Sequence, residues 1–301
     1  MAVTSVNDKH ASESSEPVLV RRPRRQLLPL VVSSPHSGRS YPSEFMALSR
    51  LDRLAIRRSE DAFVDELVDG AVALGSPLVA ATFPRALLDP NREPYELDPR
   101  MFDAPLPHWV NSRSPRVRAG LGTVPRVVAG GAEIYTGKLA PHVAEERIRR
   151  YYMPYHDALA TLLEETRAKF GIALLIDCHS MPSGERGQLG GRGRADIVLG
   201  DRFGHACAPE IMARAAEVLR RAGYQVHRND PYPGGFITEH YGRPEMDLHA
   251  LQIEINRGIY MDEAQMTRTD GMASLSADLE TLLSRLAEQA LYLAPHVNAA
   301  E

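Results

Sequence analysis

From residue 27 onward, short apolar runs alternate with stretches in which apolar residues recur every three or four positions, and the alternation continues to the end of the chain. Short runs of this kind read as buried strands, and the periodic stretches between them read as helices. A chain that alternates the two builds an α/β fold, with helices laid on a sheet. The expected strands cover 28–33, 78–83, 172–177, 196–199, 224–227 and 251–255. One helix is expected through Phe63, Leu67, Val68 and Ala71, another through Ile148, Tyr152, Tyr155, Leu159 and Leu163, and two more over 208–222 and 275–293. With 301 residues and no internal repeat, a single domain over 27–301 can bury its own core.

Two segments break the pattern. Residues 1–26 are polar and carry the basic cluster Arg21, Arg22, Arg24 and Arg25, so a solvated, disordered arm is expected there. Residues 93–131 hold six prolines and little periodicity, which reads as a long loop or lid; insertions of that size usually serve function. The arm has no apolar core of a signal peptide, and Cys178 and Cys207 are too few for a disulfide framework, so a cytoplasmic location is expected. No apolar run approaches the roughly 20 residues that span a bilayer, which argues against a membrane partner. A net charge of -4 gives no reason to expect nucleic acid, and a small solute fits better.

The chemistry concentrates where strands end. The first run leads into Ser33-Ser34-Pro35-His36-Ser37-Gly38, and the run 172–176 leads into Asp177-Cys178-His179-Ser180, so a strand followed by His-Ser occurs twice. Strand ends are where α/β proteins build their sites. Imidazole and carboxylate are the usual ligands of catalytic zinc, which keeps one position open for water. Between the two histidines lie Glu60, Asp61 and Asp65, read as the first turns of a helix, where acids also serve to counter the helix dipole. Asp61 is nearer the helix start, and Asp65 one turn on shares its face. In 252–257, alternation sets Gln252, Glu254 and Asn256 on one side of a strand and Ile253 and Ile255 on the other. Glu254 is then either paired with an internal arginine or held as a general base. Arg85, Asn91 and Arg92 follow another strand; guanidinium forks suit carboxylates, although Asp89 and Glu93 are competing partners. Gly234-Gly235 lies in a turn where backbone can approach a ligand. A Cys178 nucleophile is disfavoured because neighbouring strand residues point apart. A serine hydrolase is disfavoured by the lack of a Gly-x-Ser-x-Gly elbow.

Together, Ser34-Pro35-His36-Ser37-Gly38, Asp89-Pro90-Asn91-Arg92, Asp177-Cys178-His179-Ser180, Asn229-Asp230-Pro231-Tyr232 with Gly234-Gly235, and the segment 252–257 with Tyr260-Met261-Asp262 resemble the N-formylglutamate amidohydrolases and, through them, the zinc carboxypeptidase-like group. Tyr151-Tyr152-Met153-Pro154-Tyr155-His156 is similar as well. The resemblance implies a single α/β domain of zinc-exopeptidase, or phosphorylase/hydrolase-like, type, with a central mixed sheet flanked by helices and a site at one end of the strands. It implies that His36 and His179 are metal ligands, with an acid among Glu60, Asp61 and Asp65 as the third and Asp61 preferred. It implies Glu254 as general base, Arg85 as the group that polarises the carbonyl, and Asn91 and Arg92 as carboxylate binders. Gly234 and Gly235 complete the substrate site, and the expected metal is divalent zinc. The expected reaction is hydrolysis of the N-formyl amide of an acidic amino acid. The alternatives are deacylation of another N-acyl amino acid, cleavage of a short peptide, or binding of an acidic metabolite without turnover.

Overall fold

A computed structural model describes residues 16–184 and 194–295 of the chain. Its seven-stranded sheet comprises β1 (Val18–Arg21), β2 (Leu30–Ser34), β3 (Leu78–Ala81), β4 (Ala173–Met181), β5 (Ile197–Gly200), β6 (Val226–Arg228) and β7 (Leu248–Asn256). Their spatial order is β1-β3-β2-β4-β7-β5-β6. The central strands β3, β2, β4 and β7 are parallel; β1 and β5 run antiparallel to their central neighbours, and β6 is parallel to β5. The sheet is thus mixed and flanked by helices in one α/β domain, as the alternation of the sequence predicts. All six expected strands form. β4 and β7 also run on together past their apolar segments, from Ala173↔Leu248 to Met181↔Asn256, so their polar ends stand side by side.

Alternation along the strands divides the apolar packing in two. Leu174, Ile176 and Cys178 of β4, with Leu251, Ile253 and Ile255 of β7, pack under the helices Pro209–Arg221 and Gly271–Leu293. Ala173, Leu175 and Ala250 face the other way, against Tyr155, Leu159 and Leu162 of the helix Met153–Phe170. Before that helix come Pro141–Arg147 and a π-helical turn at Ile148–Tyr152, where the sequence suggests continuous periodicity. Pro154 has no N–H to return to the preceding turn, and the widened turn lies just ahead of it.

The arm expected over 1–26 is corrected in its last part. Val18–Arg21 pairs with β3 from Val18↔Ala81 to Arg21↔Leu78, and Arg21 and Arg22 form ion pairs with Asp69 and Glu165. Three apolar residues are too few to show a period, but the open edge of β3 offers unpaired backbone groups that a strand satisfies. Residues 1–15 lie outside the described residues. The segment 93–131 is irregular, with short helical turns at Pro99–Met101 and Pro115–Arg118, yet Leu97, Met101, Phe102 and Val124 are buried in the second apolar layer. Among the described residues, no helix is long and apolar enough to cross a membrane.

Candidate active site

Beyond the cover of the helix Met153–Phe170, the face of β4 that carries Ala173 and Leu175 continues as Asp177 and His179. The same face of β7 continues from Ala250 as Gln252 and Glu254. Polar groups buried at a sheet end need partners, and here they find each other. Ser33 at the end of β2 donates to Asp177 Oδ1 at 2.9 Å, and Tyr155 lies 2.8 Å from the same hydroxyl. His36 sits just past β2, and Glu254 is opposite His179 in the β4–β7 register.

Three donor atoms converge at this point. His36 Nδ1 and His179 Nδ1 are 3.1 Å apart, and Asp61 Oδ2 is 3.2 Å from the first and 3.1 Å from the second. All three residues are buried, and together they could hold a metal ion. Tetrahedral zinc with bonds of about 2.0–2.1 Å sets its ligand atoms roughly 3.3 Å apart, so the triangle has nearly the required edge. The outward nitrogens are committed: His36 Nε2 lies 2.7 Å from Asp89 Oδ1, and His179 Nε2 lies 2.9 Å from Asp177 Oδ2. With Nε2–H donating to each carboxylate, a neutral imidazole turns its Nδ1 lone pair inward, the outer support that metal-binding histidines need.

Asp61 is the acid the geometry selects from the three candidates, although it does not lie on a helix. The helix begins at Val64, after Phe63 with a left-handed φ of 65°, and Asp61 stands in the preceding turn, its N–H bonded to His36 O at 3.0 Å. Glu60 instead accepts from Tyr41 and Arg57, and Asp65 pairs with Arg39. Arg257 and Ser180 hold the second oxygen of Asp61 at 3.2 and 3.1 Å.

The electrostatics follow from burial opposed by partners. Burial alone would raise Asp61, but the two imidazoles outweigh it and hold the carboxyl well below its ordinary range. Burial alone would lower His179, yet Asp177 and Asp61 keep it well above its ordinary value. Asp89 is likewise held low, against burial, by Arg85, Arg92 and His36. Glu254 differs. Burial raises it, Asp61 and Asp177 add to the rise, and His179 and Arg85 oppose it only in part, leaving it at about 7. Its Oε1 accepts from Gln252 Nε2 at 2.9 Å, and no ion pair engages it among the described residues, so the expectation of a simple internal salt bridge does not hold.

Arg85, Asn91, Arg92, Gly234 and Gly235, also singled out in the sequence, line one cavity of about 430 Å³ around this site. Arg85 gives its Nε to Asp89 Oδ2 at 2.9 Å and remains about a quarter exposed (26%). Arg92 is more heavily engaged: Nε donates to Leu121 O, one terminal nitrogen to Asn91 O, and the other lies 3.5 Å from Asp89. Burial, with the charges of Arg85 and Arg116 nearby, pushes Arg92 down to about 10 despite Asp89. Asn91 Oδ1 accepts from Ile237 N at 2.8 Å, which orients its amide; its Nδ2 then lies 3.2 Å from His179 Nε2, whose proton already goes to Asp177. A side chain at Gly235 would put Cβ 2.3 Å from that amide, and Gly234 has φ of +117°. The glycine turn is therefore required by packing as well as by access to the cavity. Gly235 N also donates to Gln252 Oε1 at 2.7 Å, which ties this turn to Glu254.

The sequence offers Asp89 only as a partner for the arginines, a pairing that Arg85 and Arg92 do make, and it gives Asp177, Gln252 and Arg257 no role. For Asp177 a signal existed, since it lies two residues before His179 and so shares its face. Cys178 is packed in the opposite core layer, where burial pushes its thiol upward. Among the described residues no serine hydroxyl is bonded to a histidine: Ser34 pairs with Ser37, and Ser180 with Asp61.

These features define the class as a mixed-sheet α/β protein with a buried group of side chains that could hold a metal at the end of its central strands. The chain belongs to the N-formylglutamate amidohydrolase family, whose pattern matches residues 28–261. It is 35% identical over 245 residues to an N-formylglutamate deformylase of Pseudomonas aeruginosa, covering 80% of this chain and 85% of the relative. With the deformylase of Pseudomonas putida the identity is 32% over 241 residues, covering 79% and 84%. The crystal structure of N-formylglutamate amidohydrolase from Ralstonia eutropha superposes with a TM-score of 0.85 at 38% identity, covering 91% of this chain and 98% of that one.

Proposed function

We propose that this protein hydrolyses N-formyl-L-glutamate to formate and L-glutamate. The observation that carries the reading is Glu254, a buried carboxylate raised to about 7, standing opposite His179 beside the converging donors. A group with that pKa can take and return a proton near neutrality. His36, Asp61 and His179 would hold a divalent metal, and their nitrogen and oxygen donors suit zinc. Such an ion supplies polarisation of the formyl oxygen and a more acidic water. The chain's own residues then do the rest. Glu254 removes a proton from the water that attacks the formyl carbon, and the terminal nitrogens of Arg85 stabilise the charge developing on the oxygen. As the C–N bond breaks, Glu254 passes its proton to the departing amine. Asp89 and Asp177 keep the imidazoles oriented, while Arg92 holds the loop that carries Asn91 and adds positive potential to the cavity.

Arg85, Asn91, Arg92, Gly234 and Gly235 surround the substrate in this proposal. Two unpaired, buried cysteines support a cytoplasmic assignment. The test is formate release by metal-loaded protein from N-formyl-L-glutamate, set beside N-acetyl-L-glutamate and an N-formyl dipeptide. Preferential release from the first, abolished by a chelator and restored by zinc, is expected. Faster turnover of the acetyl or peptide substrate would transfer the site to another N-acyl amino acid or to a peptide. Binding of the formyl compound without any release would make it a binding protein.

A further inference from the structure

The cavity has more positive charge than its own acids can balance. Six arginines line it, Arg58, Arg85, Arg92, Arg116, Arg202 and Arg257, against the carboxylates of Asp61, Asp89 and Glu254. The acids are already occupied: Asp61 by the two histidines and Arg257, Asp89 by His36 and Arg85, and Glu254 by the Gln252 amide. An anionic ligand would supply counter-charge here, and the arginines free to meet it are found by removing those already committed.

Arg257 spends its guanidinium on Ser180, Asp61 and the Arg58 carbonyl. Arg92 spends its own on two carbonyls and Asp89. Arg202 is paired with Glu239 at 2.8 Å, and Arg85 is anchored through Nε to Asp89. Arg58 and Arg116 remain, and among the described residues neither side chain has a hydrogen bond or ion pair. They come from two walls: Arg58 from the turn Arg57–Ser59, and Arg116 from the short helix Pro115–Arg118. The first wall is tied to the long segment 93–131 that also carries Arg116, since Ala129 N donates to Ser59 Oγ at 3.0 Å. Arg116 is also close enough to Arg92 for its charge to be felt there. Arg58 is exposed and Arg116 partly so, which lets water solvate both guanidinium groups in the free protein and leaves them available to an entering anion.

We propose that Arg116, with Arg58 across the cavity, forms the subsite for the second, side-chain carboxylate of the substrate and thereby selects acidic N-formyl amino acids over neutral ones. The inference rests on the deformylase reading for the identity of the reacting group. The carboxylate itself is called for by the charge of the cavity. A planar guanidinium can meet it with two parallel hydrogen bonds, and an isosteric amide cannot supply the charge.

The experiment compares kcat/KM for N-formyl-L-glutamate and N-formyl-L-glutamine, which are nearly isosteric, in the metal-loaded parent protein and in Arg116→Gln, Arg116→Lys and Arg58→Gln. The preference for the glutamate compound should shrink about 10- to 100-fold in Arg116→Gln, the scale of one charge-assisted hydrogen bond. Arg116→Lys should recover part of it, and Arg58→Gln should act in the same direction. An unchanged preference in Arg116→Gln, or an equal fall for both substrates, overturns the assignment. Calorimetric binding of glutarate gives a readout that needs no turnover, and Arg116→Gln should weaken it. If no N-formyl compound is hydrolysed but glutarate binding depends on Arg116, the activity fails and the subsite stands. If formylglutamate is hydrolysed while glutarate binding ignores Arg116, the reverse holds.

Discussion

Replacing Glu254 by glutamine separates the base from everything else the site needs. The amide keeps the side-chain length and retains a carbonyl oxygen for the bond now donated by Gln252 Nε2 at 2.9 Å, so the fold and the His36, Asp61 and His179 donors should survive. Loss of a positioned general base costs roughly two to four orders of magnitude in kcat, while substrate affinity should move far less. Stability supplies an independent check. In metal-free protein the carboxyl rises from its ordinary 4.5 to about 7, chiefly through burial. A rise of that size corresponds to about 3 kcal/mol against the ionised form. The sign is that of a raised acid: the penalty is absent below pH 4.5, grows as pH rises, and is complete above about 7. Metal-free Glu254→Gln should therefore match the parent near pH 4.5 and exceed it by up to about 3 kcal/mol above pH 8, measured by urea unfolding. In the loaded enzyme the acidic limb of kcat/KM should lie above 4.5, drawn below 7 by the nearby cation, and should flatten in the variant. A variant that keeps both its metal and near-normal turnover would refute the reasoning; one that loses its metal would make Glu254 a ligand.

Three further outcomes follow from the same geometry. His36→Ala and His179→Ala each leave two protein donors, so elemental analysis should find the roughly one bound metal of the parent lost together with activity. Arg85→Ala removes the group aimed at the developing charge and should lower kcat by roughly 10²-fold or more, with a smaller effect on KM, in steady-state kinetics. Gly235→Ala drives Cβ to 2.3 Å from the Asn91 amide, and a fall in thermal midpoint should accompany any loss of activity; an unchanged midpoint would mean that the turn yields freely.

The parts of this molecule that the sequence made legible are those governed by local rules. Apolar runs located the strands, and their ends located His36, His179 and Glu254, because period-two alternation ties the face of each residue to its neighbours. Asp61 could not be separated from Glu60 and Asp65 on that basis. The choice depends on a left-handed Phe63 that delays the helix to Val64, and on which acids Arg57 and Arg39 capture first. Arg92 looked free for a ligand because its carbonyl partners belong to backbone brought in by tertiary folding. Arg58 and Arg116 carry no local pattern at all, and what distinguishes them is that neither side chain has a partner among the described residues. β1 escaped notice because an edge strand of four residues answers the need of β3 rather than a core of its own.

The two-sided use of β4 and β7 restricts how such a protein can change. One face of each strand carries the aliphatic layer and the other the reacting groups, so a register slip of a single residue would exchange Ile253 and Ile255 for Gln252 and Glu254 and lose packing and chemistry at once. Insertions and deletions are therefore barred from this part of the chain. The walls that hold Arg58 and Arg116 are short turns outside the sheet, where length and sequence can drift with little effect on the strands. In descendants of this fold, the bond that is cut should be inherited with the sheet, while the side chain accepted beside it remains open to revision.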